Sequence, residues 1–272
     1  MPGHSPLPAY DSQLVAFHSS FERELQGIVN ELPLRADMRV LDAACGDGFY
    51  TRLLAQRLGP TGFVAGADIN RAYLSEAREK APGTTIDFVA AAFDRLPFPD
   101  DTFDVVWCAQ SLYSLPDPVI AIGHMARVLR PGGLVVVLEN DTLHQVFLPW
   151  PVSLELPLRA AELRSFQEGS RNSSKYYVGR RLPAILAAAG LEPQRMTTHA
   201  FDRQAPLCDA EQSLLQRYLE QVSERVTPHL DAALLEDLRA LVDPRSPQHL
   251  LEQPHLTMTW LNVLAFGRKQ SA

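Results

Sequence analysis

Through residue 139, short apolar runs alternate with amphipathic stretches, and this alternation narrows the possible folds more than any other feature of the chain. Arg39-Val-Leu-Asp42 reads as a strand leading into a glycine loop, and Leu53, Leu54 and Leu58 mark the helix beyond it. Phe63–Ala67 is a second apolar run that ends at Asp68, with a helical stretch over Arg71–Lys80 after it. Ile86–Val89 and Phe103–Trp107 give a third and a fourth strand. Asp117-Pro118 opens a helix with Ile122, Met125, Ala126 and Leu129 inward, and Pro131-Gly132-Gly133 stops it. The uninterrupted Leu134-Val-Val-Val-Leu138 predicts a strand buried on both faces. Together these imply an α/β, doubly wound open sheet whose ligand crevice lies beyond the carboxyl ends of the strands.

Outside that core, Phe17, Phe21, Leu25, Ile28 and Leu32 follow helical spacing up to Pro33. After Asn140 the pattern loosens into a stretch rich in Pro, Arg and aromatics, as far as about Tyr177. A helix over Arg180–Ala189, capped by Gly190, resumes the wound pattern. Two leucine-striped helical segments occupy residues 210–242, and Thr257–Phe266 reads as a closing strand. The expected organisation is one domain over 1–272, with an N-terminal helical cap (1–37), a core (38–140) and insertions at 141–178 and 208–252.

At 272 residues and 46% hydrophobic, the chain can bury a core without metal or disulfide staples. A net charge of −7 has the wrong sign for gripping nucleic acid over a broad surface. Cys45, Cys108 and Cys208 are scattered, without zinc or redox spacing, and read as reduced thiols. No basic region followed by an apolar stretch opens the chain, and no apolar run approaches the ~18 residues needed to span a membrane. The expectation is a cytoplasmic protein with no metal, no nucleic acid and no membrane partner.

Chemistry begins at the glycine loop, Val40-Leu-Asp-Ala-Ala-Cys-Gly-Asp-Gly48, where small residues let a ligand approach the backbone and Asp42 stands beside it. Asp68 lies 20 residues after Gly48 at a strand end, where a carboxylate can accept both hydroxyls of a ribose. Dinucleotide sites want a third glycine where this chain has Thr51, and no NTP-binding G-x-x-x-x-G-K-[ST] run is present. That argues against a nicotinamide oxidoreductase. An adenosine ligand without phosphates fits better, and S-adenosylmethionine has that description.

Residues 40–48, Asp68, Leu96-Pro97-Phe98 with Phe103-Asp-Val-Val106, and Leu129-Arg-Pro-Gly-Gly133 together resemble class I S-adenosylmethionine-dependent methyltransferases, most closely the ubiquinone/menaquinone C-methyltransferase and small-molecule group. The resemblance spans about residues 38–140. It implies a Rossmann-like, seven-stranded, mostly parallel sheet with an antiparallel last strand. It implies further that Asp42, Ala44, Cys45, Gly46 and Gly48 hold the methionine end of the cofactor, and Asp68 with Ile69 the ribose side. The acidic residue that usually bonds adenine is replaced here by Ala92, so either Asp94 or backbone groups near Phe93 would take over the adenine, or adenine affinity would be weaker than usual in the family. Ala44 stands where the family has a first glycine. Ala109 to Tyr113 would line the methyl-transfer mouth, and Ala109-Gln110-Ser111-Leu112-Tyr113 is not the N-P-P-Y type that methylates amino groups of bases.

Methyl transfer asks mainly for alignment and a dry site, with a base only if the acceptor must lose a proton. His144, with Asp141 nearby, and Tyr113 are the candidates, ahead of His255 and His124. Trp150, Phe147, Phe166, Tyr176 and Tyr177 could wall an apolar acceptor or pack the insertion's own core. Arg159, Arg164, Arg171, Lys175, Arg180 and Arg181 could meet an anionic group or form a solvated face. The leucine stripes of the inserted helices could form a homodimer surface. The expected function is O- or C-methylation of a small organic acceptor. A cofactor-binding protein without turnover and a quinone-type C-methyltransferase remain as alternatives.

Overall fold

The computed structural model describes residues 10–82, 86–169 and 176–271. In chain order its elements are α1 (Tyr10–Ser20), α2 (Glu22–Asn30), β1 (Arg39–Ala43), α3 (Phe49–Gln56), β2 (Phe63–Asp68), α4 (Arg71–Glu79), β3 (Ile86–Ala90), β4 (Phe103–Ala109), α5 (Pro118–Val128) and β5 (Leu129–Glu139). There follow β6 (Val146–Phe147), α6 (Val152–Gly169), α7 (Val178–Ala188), β7 (Glu192–Gln204), α8 (Asp209–Val226), α9 (Ala232–Val242) and β8 (Thr257–Arg268). The chain divides into two compact units, one of residues 26–142, 174–199 and 261–272, the other of residues 1–25, 143–173 and 200–260. The segments set apart by sequence as a cap and two insertions thus fall largely in the second unit.

The first unit holds the wound sheet. Its strands run β3-β2-β1-β4-β5, all parallel, and the second half of β8 closes on β5 in antiparallel register, from Leu134↔Arg268 to Glu139↔Val263. β7 pairs with β8. The expected parallel core and antiparallel last strand are therefore present; two-residue β6 is the strand beyond the expected seven. One face of the sheet buries Leu41, Ala65, Val106, Val135 and Val137 against Ile122, Met125, Leu182 and Leu186 of α5 and α7. Local chemistry starts the helices where expected: Asp117 accepts from the Val119 and Ile120 amides, and Asn70 accepts from Ala72 N. Because β1 lies between β2 and β4, strand order reverses there, which makes the carboxyl ends of β1 and β4 the crevice position.

Several local expectations are corrected. Leu129 is not on the helix and Pro131-Gly132-Gly133 is not what stops it: α5 ends at Val128, and β5 pairs from Leu129, with a register irregularity between Phe103↔Leu129 and Val105↔Leu134 where Gly132 takes φ +78°. The expected single helix of residues 14–32 is two, broken at Phe21. Phe21 is fully buried against Phe17, Phe201 and Trp260, so tertiary packing sets the break.

In the second unit, α8 buries Leu214, Leu215, Tyr218, Leu219 and Val222 among α1, α6 and α9. That satisfies its apolar stripe internally, so the reason sequence offered for a homodimer surface does not apply to α8. The loosened stretch of residues 141–177 contains an 18-residue helix, α6, with Pro157 inside it. β6 pairs with the start of β8 through Val146↔Trp260.

Candidate functional site

β1 leads into a loop with three left-handed residues, Ala44 at φ +62°, Gly46 at +51° and Gly48 at +76°. Two are glycines because that backbone region is costly with a Cβ; Ala44 bears the cost. At Gly48 a Cβ would lie 3.0 Å from Ala77 Cβ and 3.1 Å from Phe88 Cζ, so helix α3 starts close against α4 and β3 only without a side chain. At Gly46 a Cβ would meet nothing within 4 Å, so that turn of the loop has open space beside it. The loop is tied to β2: Cys45 N donates to Ala67 O at 3.0 Å, and Gly46 N donates to Asp68 Oδ2 at 2.9 Å.

The carboxylates divide the work. Asp42 is buried, and its Oδ2 accepts the Thr51 hydroxyl at 2.6 Å. Burial pushes its pKa from 3.8 to about 7; the Thr51 hydrogen bond opposes this and the negative charges of Asp68 and Asp47 add to it. Thr51, fully buried, explains why α3 lacks the third glycine: its hydroxyl is needed under the loop. Asp68 accepts from Gly46 N with Oδ2 and from Asn70 N, at 2.8 Å, with Oδ1. Burial raises its pKa, while those backbone donors hold it back. Asp47 accepts Lys80 Nζ at 2.6 Å.

Ile69, directly after Asp68, is 70% exposed, an apolar side chain left open at the end of β2. Ala91 N donates to Asp68 O at 3.0 Å, which brings Ala92 and the short helical turn Phe93–Arg95 beside that strand end. Ala92 is extended and offers no acidic group; Phe93 is half-buried against the core, and the Asp94 side chain lies outside the described residues. The structure thus gathers Asp42, Ala44, Cys45, Gly46, Gly48, Asp68, Ile69, Ala92 and Phe93 around adjoining strand ends. Ala109 ends β4, the strand next to β1 on the other side.

After β4, Gln110 takes φ +51° and its N–H donates to Leu138 O at 2.8 Å. Tyr113 follows in a short helical turn, Leu112–Ser114. The N–H groups of Ser111 and Leu112 both donate to Glu139 Oε1, at 2.7 and 2.6 Å. Glu139 is fully buried, and desolvation pushes its pKa up to about 7. Sequence reasoning passed over this residue. The available signal was a carboxylate closing an otherwise apolar strand at its carboxyl end.

His144 is exposed and belongs to the other compact unit. Asp141, expected near His144, is committed to Arg180: its carboxylate accepts both the Arg180 backbone N–H, at 3.2 Å, and the guanidinium. Arg159 is likewise internal, paired with Glu155 and with Glu162, and Glu162, 1% exposed, also takes Arg225 at 2.9 Å. Arg171 and Lys175 lie outside the described residues. Trp150 and Phe166 are buried, whereas Phe147 is 55% exposed. Cys45 and Cys108 are buried thiols and Cys208 is exposed. Among the described residues no His, Cys, Asp and Glu side chains cluster as a metal site, and no helix is long and apolar enough to cross a membrane.

Residues 41–137 match the family model described as a methyltransferase domain. The demethylmenaquinone methyltransferase of Staphylococcus aureus is 37% identical over 115 residues, which cover 42% of this chain and 48% of that protein, so the chain spans about half the length of the curated relatives it matches. Among solved structures, the YcgJ protein of Bacillus subtilis superposes with a TM-score of 0.60 at 17% identity, over 92% of this chain and 100% of the other. The cyclase SpnF superposes at 0.52 with 20% identity, over 97% and 94%. These two likenesses establish the fold. The family match runs over β1 to β5, the same segment whose strand ends carry the glycine loop and Asp68, so residues 41–137 are similar to a methyltransferase domain.

Proposed function

We propose that the chain transfers a methyl group from S-adenosylmethionine to a small organic acceptor, by O- or C-methylation. The observation that carries this reading is the loop of Ala44, Gly46 and Gly48 clamped to Asp68, with open space at Gly46 and an exposed Ile69 at the same strand end. A ligand laid there would meet backbone at the loop, a carboxylate at Asp68 and an apolar platform at Ile69. Those features suit, in turn, the aminoacyl end, the ribose and the purine of the cofactor.

The bound cofactor would supply an activated methyl carbon on its sulfonium. The chain's own residues would bind and align. Asp68 keeps lone pairs on both oxygens after accepting from Gly46 and Asn70, enough to take ribose hydroxyls. Asp42, engaged with Thr51, would hold the loop from beneath. With Ala92 in place of an acid, adenine recognition would fall to Ile69, Phe93 and backbone groups. Tyr113, in the turn after β4, is the candidate for touching the acceptor, and His144 is the candidate base should the acceptor have to lose a proton. A cytoplasmic setting suits the free thiols.

A specific second reading is quinone-type C-methylation, favoured by the relative that methylates demethylmenaquinone. That SpnF shares the fold keeps a non-methylating use of the same scaffold in view. Calorimetric titration with S-adenosylmethionine, S-adenosylhomocysteine and NADH separates these readings. Micromolar binding of the first two, none of NADH, and at least about a hundredfold loss in Asp68→Ala, matching two lost charged hydrogen bonds, is the expected result. Asp68→Asn, which keeps one acceptor oxygen for the loop, guards against misfolding. Unchanged affinity in both variants would dismiss the cofactor placement. Turnover is then sought with 1,4-naphthohydroquinone and with simple phenols; binding without any methylated product would favour the non-methylating alternative.

A further inference from the structure

Glu139 is wholly buried at the carboxyl end of β5, and the two halves of its carboxylate have different fates. Oε1 accepts from Ser111 N at 2.7 Å and Leu112 N at 2.6 Å, capping the first turn after β4. Oε2 makes no hydrogen bond of its own among the described residues, although the Asn140 and Tyr113 amides also act on the carboxyl, and the buried Gln110 Oε1 likewise makes none. Leaving a buried carboxylate oxygen unpaired costs stability, and so does a non-glycine residue in the left-handed region, as Gln110 is at φ +51°. One cost falls at the end of β5 and the other in the turn Gln110–Tyr113 that Glu139 grips, both at the crevice end of the sheet. Sites where local rules are broken without a local gain are where function is expected.

We propose that Glu139 is a positioning residue for the transfer step: by gripping the Ser111 and Leu112 amides it sets the backbone that presents Tyr113 to the acceptor. The inference rests on the methyltransferase reading above. An apolar residue at 139 would leave two backbone donors without acceptors and free the turn. A glutamine would keep the acceptor oxygen but remove the charge that strengthens both bonds. Glu139 would act on alignment and not on cofactor affinity, since Asp68 and the glycine loop are held by separate contacts. Four other titratable groups lie on the segments that adjoin it. Cys108 on β4 is coupled to it, its thiol pushed upward by burial and by the Glu139 charge. Tyr113 lies on the turn itself, and the Asp141–Arg180 pair lies just beyond Asn140.

The test uses the full chain as wild type, Glu139→Gln and Glu139→Ala. Amide resonances of Ser111 and Leu112 are followed from pH 5.5 to 8.5, S-adenosylhomocysteine affinity is measured by calorimetry, and KM and kcat are taken with 1,4-naphthohydroquinone. Both amides should titrate together in the wild type with a midpoint near about 7 and lie flat in Glu139→Gln. Affinity for S-adenosylhomocysteine should stay within about threefold in both variants, while kcat falls about 10- to 100-fold in Glu139→Ala and recovers in part in Glu139→Gln. Amides that do not titrate, or a Glu139→Gln variant as slow as Glu139→Ala, would overturn the proposal, as would a loss confined to cofactor affinity. If the wild type does not bind S-adenosylhomocysteine at all, the methyltransferase reading fails instead, and the amide titration still decides whether Glu139 grips the turn.

Discussion

Asp42 carries a carboxyl whose pKa rises from 3.8 in water to about 7 in the fold, which makes it a proton acceptor on folding. Between those values the folded chain holds a proton that the unfolded chain releases. Its contribution to stability is therefore present below about pH 4 and is lost as pH climbs through about 7. Asp42→Asn keeps an acceptor for the Thr51 hydroxyl and removes the ionisation. Urea midpoints measured from pH 5 to 8 should fall less steeply in the variant than in the wild type, with the remaining slope including Glu139, which is shifted in the same direction. Equal slopes would mean that Asp42 is not the buried acid described here. The position of Asp42 was legible in sequence, because a carboxylate before a glycine loop stands out. Its partner was not: Thr51 announced itself only as an absent glycine, since which way a carboxylate turns depends on how α3 packs, and packing is not written in local spacing.

At the scale of elements, the loop between β1 and α3 makes two glycines unequal. Gly46→Ala carries only the left-handed backbone penalty, about 1–2 kcal/mol, because its Cβ would enter open space. Gly48→Ala adds overpacking against Ala77 and Phe88, a further cost on the order of 1–3 kcal/mol, and disturbs the first turn of α3. Denaturation should rank the wild type above Gly46→Ala and Gly46→Ala above Gly48→Ala; a Gly48→Ala variant as stable as Gly46→Ala would show that the helix start is not held by that contact. The elements sequence located well are those whose signal is local, such as α5 with its Asp117-Pro118 start and β5 with its valines. β7 escaped because Glu192–Gln204 is mostly exposed and polar, with no apolar alternation to read. α6 escaped because Pro157 and the preceding prolines read as a breaker. Its buried Leu154, Leu158, Ala161 and Phe166 outweigh that local penalty only in the folded chain.

At the scale of the molecule, the candidate cofactor residues from Asp42 to Ala109 belong to one of the two compact units, and His144 belongs to the other. Within the second unit, Glu162 is held by Arg159 and Arg225, so Arg159, a cation that sequence could assign to an anionic substrate, serves that unit's interior. A ligand that binds only the folded state adds about 2.7 kcal/mol at a hundredfold excess over its Kd. In a chain of this size that corresponds to a rise on the order of 5–10 °C in the melting midpoint. Scanning calorimetry with S-adenosylhomocysteine should show that rise. Hydrogen exchange should place the added protection in residues 44–48, 68–70 and 91–93, and Asp68→Ala should abolish both effects. NADH at the same concentration should leave the midpoint unmoved, because Thr51 fills the place where a dinucleotide loop needs its third glycine. A shift of equal size with NADH, or protection that spares residues 44–48, would mean that the adenosine ligand of this fold is held elsewhere.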